Sequence, residues 1–407
     1  LSGGRILSGV ALIFIGIAGA LVIAELGLRL IGYADPRFYV RDDEVGFALR
    51  PGAAGWFTHE GRSYVTINSA GRHDSDVRLS KPPQTIRIAV LGDSFTEAKQ
   101  VPIEQNFSSV IQHELPKCSA ASGERVEVMN FGVAGYGTAQ ELIMLRDRVW
   151  QYSPDIVVLA FYTGNDVLDN SPTLGQTRLR PFFIRRDGEW EIDDSFREQR
   201  HYRDRLARQS SFGTWLRDRV RLIQLLEEVR RIVVRRIADT DESAAEANDS
   251  SWLLNQNAPK NIDVINMMFG PPRTPELRDA WDATEYLLDT MNREVKAHKA
   301  LFLVVTLSDA IQVYPDPALR DAVVKKYEIE NLFYPDKRVE SFGRSHGIEV
   351  LSLAEPFQRY ADAHKVYLHG FTDTYLGYGH WNSAGHRLAG EMIEDRLCEM
   401  LDHNLRN

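Results

Sequence analysis

Three stretches share one pattern, a run of β-branched and apolar residues ending in a small-residue turn. They are residues 85–97 (Thr-Ile-Arg-Ile-Ala-Val-Leu-Gly-Asp-Ser-Phe-Thr-Glu), 126–135 (Val-Glu-Val-Met-Asn-Phe-Gly-Val-Ala-Gly) and 155–166 (Asp-Ile-Val-Val-Leu-Ala-Phe-Tyr-Thr-Gly-Asn-Asp). Short apolar runs bounded by Gly, Asn and Asp predict buried strands. Helical periodicity falls between them at 105–115 and 138–152, the second with Thr138 and Glu141 at capping-box spacing. Strands alternating with helices at this interval predict βαβ units and a parallel sheet. The pattern resumes with a buried strand at 301–307, a short helix at 338–346, a last strand at 348–353, and a closing helix to about residue 401 that Asn382 or Ser383 can cap.

Other patterns flank and interrupt these units. Residues 6–24 are nearly all apolar, and at 1.5 Å per residue they just span a hydrocarbon core. A cleaved signal peptide has a shorter apolar core, so a retained single-pass anchor in the bilayer is expected, its helix continuing past the surface toward Tyr33. Arg5 before the span is matched by Arg29, Arg37 and Arg41 beyond it, so charge does not set the orientation. A signal-anchor arrangement, with the large domain outside the cytoplasm (periplasmic), is the expectation. The chain starts at Leu1 rather than methionine, so residues before it are expected.

Residues 34–84 read as a small β-rich segment punctuated by Pro36, Pro51, Gly52, Gly55 and Gly71, a spacer closed by the stiff linker Lys81-Pro82-Pro83. Within 168–298 a hairpin is expected at Asp187-Gly188, and 215–237 reads as a basic amphipathic helix. Such a helix suits an anionic membrane surface, but packing on the main domain is the expectation. Residues 238–251 are small, polar and acidic and read as a loop; 274–297 is helical again. The divisions are thus an anchor (1–33), the β-rich segment (34–84), an α/β domain (85–167 and 299–407) and a largely helical insertion (168–298).

At 407 residues the chain can bury a full α/β core with additions. Its 48 basic against 57 acidic residues leave a net charge of −9, which speaks against nucleic acid as a partner. No His/Cys/Asp/Glu cluster has ligand spacing, so neither metal nor other cofactor is expected. Two cysteines, Cys118 and Cys398, make neither a disulfide framework nor a zinc site.

The candidate chemistry begins at Ser94, at the carboxyl end of a strand, where ligands bind in open α/β sheets. Serine 94, Gly135, Asn165 and His380, the last within Gly-His-Trp-Asn-Ser-Ala-Gly-His at 379–386, each stand at a turn that leads toward a helix. In that order they resemble the four sequence blocks of the SGNH/GDSL hydrolase family, and the resemblance covers 86–167 and 299–404, about half the chain. It implies a flavodoxin-like three-layer α/β/α sandwich with a parallel sheet, in a membrane-anchored bacterial-type member. Ser94 would be the nucleophile and His380 its base. The oxyanion hole would be the N–H groups of Ser94 and Gly135 with the side-chain amide of Asn165. A serine hydroxyl needs both a base and a site for developing negative charge. His386 is expected to pack or hydrogen-bond at a helix start, and Asp93 and Asp166 to hold loops.

One position departs from the family, which usually has an aspartate three residues before its histidine; here it is Gly377. The nearest acid upstream, Asp373, is the candidate third triad member; a backbone carbonyl orienting the ring and a Ser-His dyad are the alternatives. In a flavodoxin-like order the helices ending near Cys118 and Cys398 share a face, and one disulfide or two free thiols both stay open. The resemblance implies a serine esterase using an acyl-enzyme, with O-acetyl esters of extracytoplasmic glycans as the substrate class. The alternatives are an O-acetyltransferase of cell-surface polysaccharide acting beside a membrane protein partner, and a catalytically silent subunit of a membrane complex.

Overall fold

A computed structural model describes residues 2–238 and 267–406. Helix α1 (Ser2–Leu30) precedes two small antiparallel hairpins, β1–β2 (Tyr39–Asp42, Gly46–Leu49) and β3–β4 (Ala54–Phe57, Ser63–Thr66). Next come β5 (Thr85–Gly92), α2 (Ser94–Glu97), α3 (Phe107–Glu114), β6 (Arg125–Asn130), α4 (Thr138–Met144), β7 (Ile156–Tyr162) and α5 (Asp166–Asp169). A third hairpin, β8–β9 (Phe182–Arg186, Glu189–Asp193), turns at Asp187 and Gly188, with φ of 51° and 91°, as a two-residue hairpin loop requires. Helices α6 (Arg200–Gln209), α7 (Phe212–Arg219) and α8 (Arg221–Ala238) follow. Where the described residues resume come α9 (Pro275–Ala297), β10 (Leu301–Leu307), α10 (Pro317–Lys326), α11 (Tyr334–His346), β11 (Glu349–Ser352), α12 (Ala354–His364) and α13 (Ser383–Arg406).

The main sheet is five-stranded and wholly parallel, in the order β6-β5-β7-β10-β11. Its central strands are apolar on both faces because helices cover both. Phe107, Ile111, Phe357, Ile393 and Leu397, from α3, α12 and α13, pack on one face. Leu142, Trp281, Leu288 and Met291, from α4 and α9, pack on the other. The result is a three-layer α/β/α sandwich in the flavodoxin-like order. The chain leaves β5 and β7 toward opposite faces, which opens a crevice between their carboxyl ends. Cys118, just after α3, and Cys398, in α13, are joined by a disulfide on the shared face.

One strand residue breaks the apolar rule. Arg87 in β5 is fully buried; its Nε donates to Glu127 Oε2 (2.8 Å), and its other nitrogens donate to the carbonyls of Arg78, Leu79, Ser80 and Tyr152. It fastens residues 78–80, just ahead of the linker, to β5 inside the sheet.

The structure differs from the sequence expectations in several places. The helix at 274–297, expected in the insertion, is α9, which crosses over from β7 to β10 and buries Leu277, Trp281 and Leu287 in the core. Helix α4 is capped at Gly137, with Thr138 its first helical residue rather than its cap. Gln140 rather than Glu141 approaches the Gly137 N–H, at 3.4 Å, while Glu141 is buried. The helix expected at 215–237 is two, broken at Val220, whose backbone is extended. The break is held from outside, because Glu25 of α1 accepts from the N–H groups of Arg221 (3.1 Å) and Leu222 (2.9 Å) and so caps α8. Helix α8 packs against the end of α1 and leaves Leu226, Val229, Val233 and Val234 exposed. The loop expected at 238–251 lies outside the described residues beyond Ala238. Within α1, Ser8–Leu30 is long and apolar enough to cross a membrane, with a mean hydropathy of 2.4 and none of it buried; the helix stops at Leu30 instead of continuing to Tyr33.

Candidate active site

Ser94 is the first residue of α2, where β5 ends at the crevice. Asp93 caps this short helix, its Oδ1 accepting from the Phe95 N–H (2.9 Å) and its Oδ2 lying 3.3 Å from Ser94 Oγ. Burial pushes the Asp93 carboxyl up to about 6. Asp166 begins α5, and its Oδ2 accepts from the Tyr162 N–H (2.8 Å). Burial and the neighbouring Glu141 and Asp93 push it well up. Glu141, in α4, is buried with neither carboxylate oxygen partnered among the described residues, and burial likewise pushes it well up. Asp93 and Asp166 hold the turns beneath the site, and none of the three acids lines the cavity.

His380 comes from the loop before α13. Its Nε2 lies 2.7 Å from Ser94 Oγ, and its Nδ1 lies 2.5 Å from Glu60 Oε2. Its backbone N–H also donates to Glu60 Oε1 (2.7 Å). A carboxylate against Nδ1 fixes the proton there, which leaves Nε2 free to accept from the serine hydroxyl. Burial pushes the Glu60 carboxyl up, but the hydrogen bonds and charge of His380 outweigh it and hold the group below its ordinary value. Phe95 packs on the imidazole, with ring centroids 4.9 Å apart.

The His380 loop is itself braced. His369 Nδ1 donates to the Gly379 carbonyl (2.7 Å), and its Nε2 accepts from Ser308 Oγ (3.0 Å), which in turn accepts from Trp381 Nε1 (2.9 Å). Burial holds His369 down at about 4, so it is neutral and keeps this donor-acceptor order. Among the described residues His386 makes no hydrogen bond through either ring nitrogen; it stacks on Phe107 and is held down at about 3 by burial. Asn382, rather than Ser383, caps α13, accepting from the N–H groups of Ala384 (2.9 Å) and Gly385 (3.2 Å).

Ser94, Gly135, Asn165, Glu60 and His380 line one open cavity of about 1080 Å³. Among the described residues the N–H of Gly135 makes no hydrogen bond. The side-chain oxygen of Asn165 is buried and, among the described residues, has no hydrogen-bond partner. Glu97 sets the Gly135 loop: its Oε2 accepts from the Ala134 N–H (2.5 Å), and its carboxylate is held by Tyr39 Oη (2.9 Å) and by Lys99. Phe57 and Tyr39 add walls from the β-rich segment, and Leu174, Met268 and Phe269 add walls from the chain entering and leaving the insertion.

The crevice thus brings together Ser94, Gly135, Asn165 and His380, whereas Asp373 is exposed on the loop ahead of them. The acid on His380 is Glu60, at the tip of the β3–β4 hairpin, so the 34–84 segment is part of the site and not only a spacer. Two glycines account for the substitution. At Gly377, where φ is +77°, a Cβ would stand 2.4 Å from the Tyr314 ring, so no acid fits there. At Gly379 a Cβ would stand 2.2 Å from Glu60 Oε1, so glycine is what admits the carboxylate. The only signal in the sequence was Gly377 itself, which left the histidine without a local acid.

A doubly wound α/β sandwich with these four blocks at one sheet edge fits the fold that the resemblance to the SGNH/GDSL hydrolases implies. No protein-family model matches the chain. An arylesterase of Vibrio mimicus is 33% identical over 86 residues, 21% of this chain; the chain spans 40% of that relative's length. Among solved structures it is similar to the acetyl xylan esterase AlAXEase, with a TM-score of 0.37 and 12% identity over 76% of this chain and 99% of that one. It is also similar to a lipase/acylhydrolase of Enterococcus faecalis, with a TM-score of 0.33 and 14% identity over 77% and 96%. Likenesses to structures at this level do not bear on the reaction.

Proposed function

We propose that the chain is a membrane-anchored serine esterase in which Ser94, His380 and Glu60 form the triad. The observation that carries this reading is the position of His380, hydrogen-bonded to Ser94 Oγ on one nitrogen and to Glu60 on the other. Ser94 Oγ attacks the ester carbonyl while His380 Nε2 takes its proton. Glu60 stabilises the resulting imidazolium and keeps the ring oriented. The N–H groups of Ser94 and Gly135 and the Asn165 amide receive the charge on the carbonyl oxygen. Each such donor is worth on the order of 3 kcal/mol. The imidazolium then returns the proton to the leaving alcohol. Water, deprotonated by the same nitrogen, releases the acid and restores Ser94.

The 86-residue likeness to an arylesterase makes an aryl acetate the first substrate to try. O-acetyl esters of extracytoplasmic glycans are the physiological class we favour, supported by the open cavity. The disulfide suits an oxidising compartment such as the periplasm, and α1 supplies the anchor. Transfer of the acetyl group to a sugar hydroxyl would use the same acyl-enzyme. A silent subunit is disfavoured, because Glu60 meets the need that Gly377 leaves. The test is intact-protein mass spectrometry after treatment with a fluorophosphonate probe. One adduct, lost in Ser94→Ala and His380→Ala, is expected; a folded wild type that takes none would refute the esterase.

A further inference from the structure

Beside the Ser94 cavity lies a second cleft of about 880 Å³, between the 37–50 segment and helices α6 and α7. Its lining includes Arg37, Arg41, Arg50, Arg205 and Arg208, with Asp218 as the one acid. That acid is shared, since Asp218 pairs with Arg37 (3.1 Å) and with Arg50. The nearby acids face elsewhere: Asp42 pairs with Arg148, and Asp43 accepts from Tyr202 Oη (3.0 Å). Among the described residues, the guanidinium groups of Arg41, Arg205 and Arg208 therefore have no acidic partner. Burial, and after it the charge of Arg205, push Arg41 below its ordinary value. Like charges crowded in a concavity cost free energy unless an anion joins them. Their concentration is also local, because the chain as a whole carries a net charge of −9.

The cleft adjoins the active-site cavity. Tyr39, Ala134, Gly135 and Gln176 line both, so a ligand long enough to pass from the arginine cleft over the Gly135 loop would come to Ser94. Tyr39 and Phe47 meet edge to face at this junction and offer apolar ring surface.

We propose that this cleft holds the carboxylates of an acidic polysaccharide whose ester groups are delivered to Ser94. The inference rests on the esterase reading and names its substrate class. The spread of the arginines decides for a polymer. Five guanidiniums in two separate chain segments suit repeated charges along a glycan better than the single headgroup of a lipid, and each planar fork fits a carboxylate bidentately.

The test is isothermal titration of the full chain in detergent, as Ser94→Ala, with polygalacturonate oligomers and with neutral xylan oligomers of equal length. The acidic oligomer should bind at least about tenfold tighter, and more weakly as salt rises. Adding Arg41→Gln, Arg205→Gln and Arg208→Gln together should cost about a hundredfold or more. If circular dichroism shows that this variant misfolds, Arg205→Glu alone, on the exposed side of α6, should cost about tenfold. Equal binding of the two oligomers, or undiminished acidic-oligomer binding in a folded arginine variant, would overturn the inference. So would saturable heat from short-chain phosphatidylglycerol with none from polygalacturonate, which would assign the cleft to a lipid headgroup. Binding needs no ester chemistry. A chain that binds the acidic oligomer but takes no fluorophosphonate overturns the esterase alone, and the reverse overturns the polysaccharide alone.

Discussion

Glu60 and His380 stand 320 positions apart in the chain and share two hydrogen bonds, carboxylate to imidazole Nδ1 at 2.5 Å and carboxylate to backbone N–H at 2.7 Å. The first fixes the tautomer; the second fixes where the carboxylate sits. Replacing the acid of a Ser-His-Asp triad by its amide lowers turnover about ten-thousandfold, through the wrong tautomer with the geometry kept. Glu60→Gln should therefore lower kcat on an aryl acetate by about that factor with KM little changed. Asp373→Asn, on the exposed loop, should stay within about twofold. A Glu60→Gln enzyme within tenfold of wild type would remove Glu60 from the triad.

An aspartate at the usual family position should not rescue the loss of Glu60. A Cβ at residue 377 would meet the Tyr314 ring at 2.4 Å, and φ of +77° there strains any L side chain. Glu60→Ala with Gly377→Asp is expected to be no more active than Glu60→Ala alone, and less stable by about 1 kcal/mol or more. Aryl acetate kinetics and chemical unfolding of the two variants, side by side, decide it. Recovery of activity would mean that Tyr314 yields and that the loop can carry its own acid.

The strands and the blocks at their ends were legible because local pattern sets them. Residues 85–92, 126–130 and 156–162 are apolar runs that only a sheet covered on both faces would bury, and the turns after them carry Ser94, Gly135 and Asn165. Glu60 was not legible, because its role depends on a hairpin folding against a loop at the other end of the chain. Helix α9 was misassigned for a related reason: the inserted elements separate it from β7, and its core face is defined only by the sheet beneath it. The break at Val220 leaves no mark in the apolar periodicity, since it is imposed by Glu25 of another helix.

Arg87 should be a stability residue with no part in the chemistry. It is fully buried in β5, and its removal leaves Glu127 short of a partner and the carbonyls of Arg78, Leu79, Ser80 and Tyr152 without a donor. Breaking a buried pair in this way costs about 3–5 kcal/mol. Arg87→Leu is expected to lower the urea midpoint accordingly, while the surviving folded fraction still reacts with a fluorophosphonate at Ser94. A loss under 1 kcal/mol would show that water reaches these carbonyls.

His386 supplies a pH dependence that can be read by removing it. The ring is buried with neither nitrogen hydrogen-bonded, and burial, with the nearby His380 and His369, lowers its pKa from 6.5 to about 3. In the unfolded chain it regains its ordinary value. Between these two values the unfolded state binds the extra proton, so stability is fully present above about pH 6.5 and is lost as pH falls toward 3. By pH 5 the loss from this one group is about 2 kcal/mol relative to pH 8. The acids Asp74, Asp93 and Asp336, each raised to about 6, act with the opposite sign, favouring the fold as they take up protons below that value. They are present in both proteins of a pairwise comparison and cancel. His386→Leu, similar in volume, should therefore gain on wild type by about 2 kcal/mol between pH 8 and pH 5 in urea unfolding. A difference between the two proteins that stays constant with pH would mean that the folded ring titrates at its unfolded value, in contact with water rather than buried.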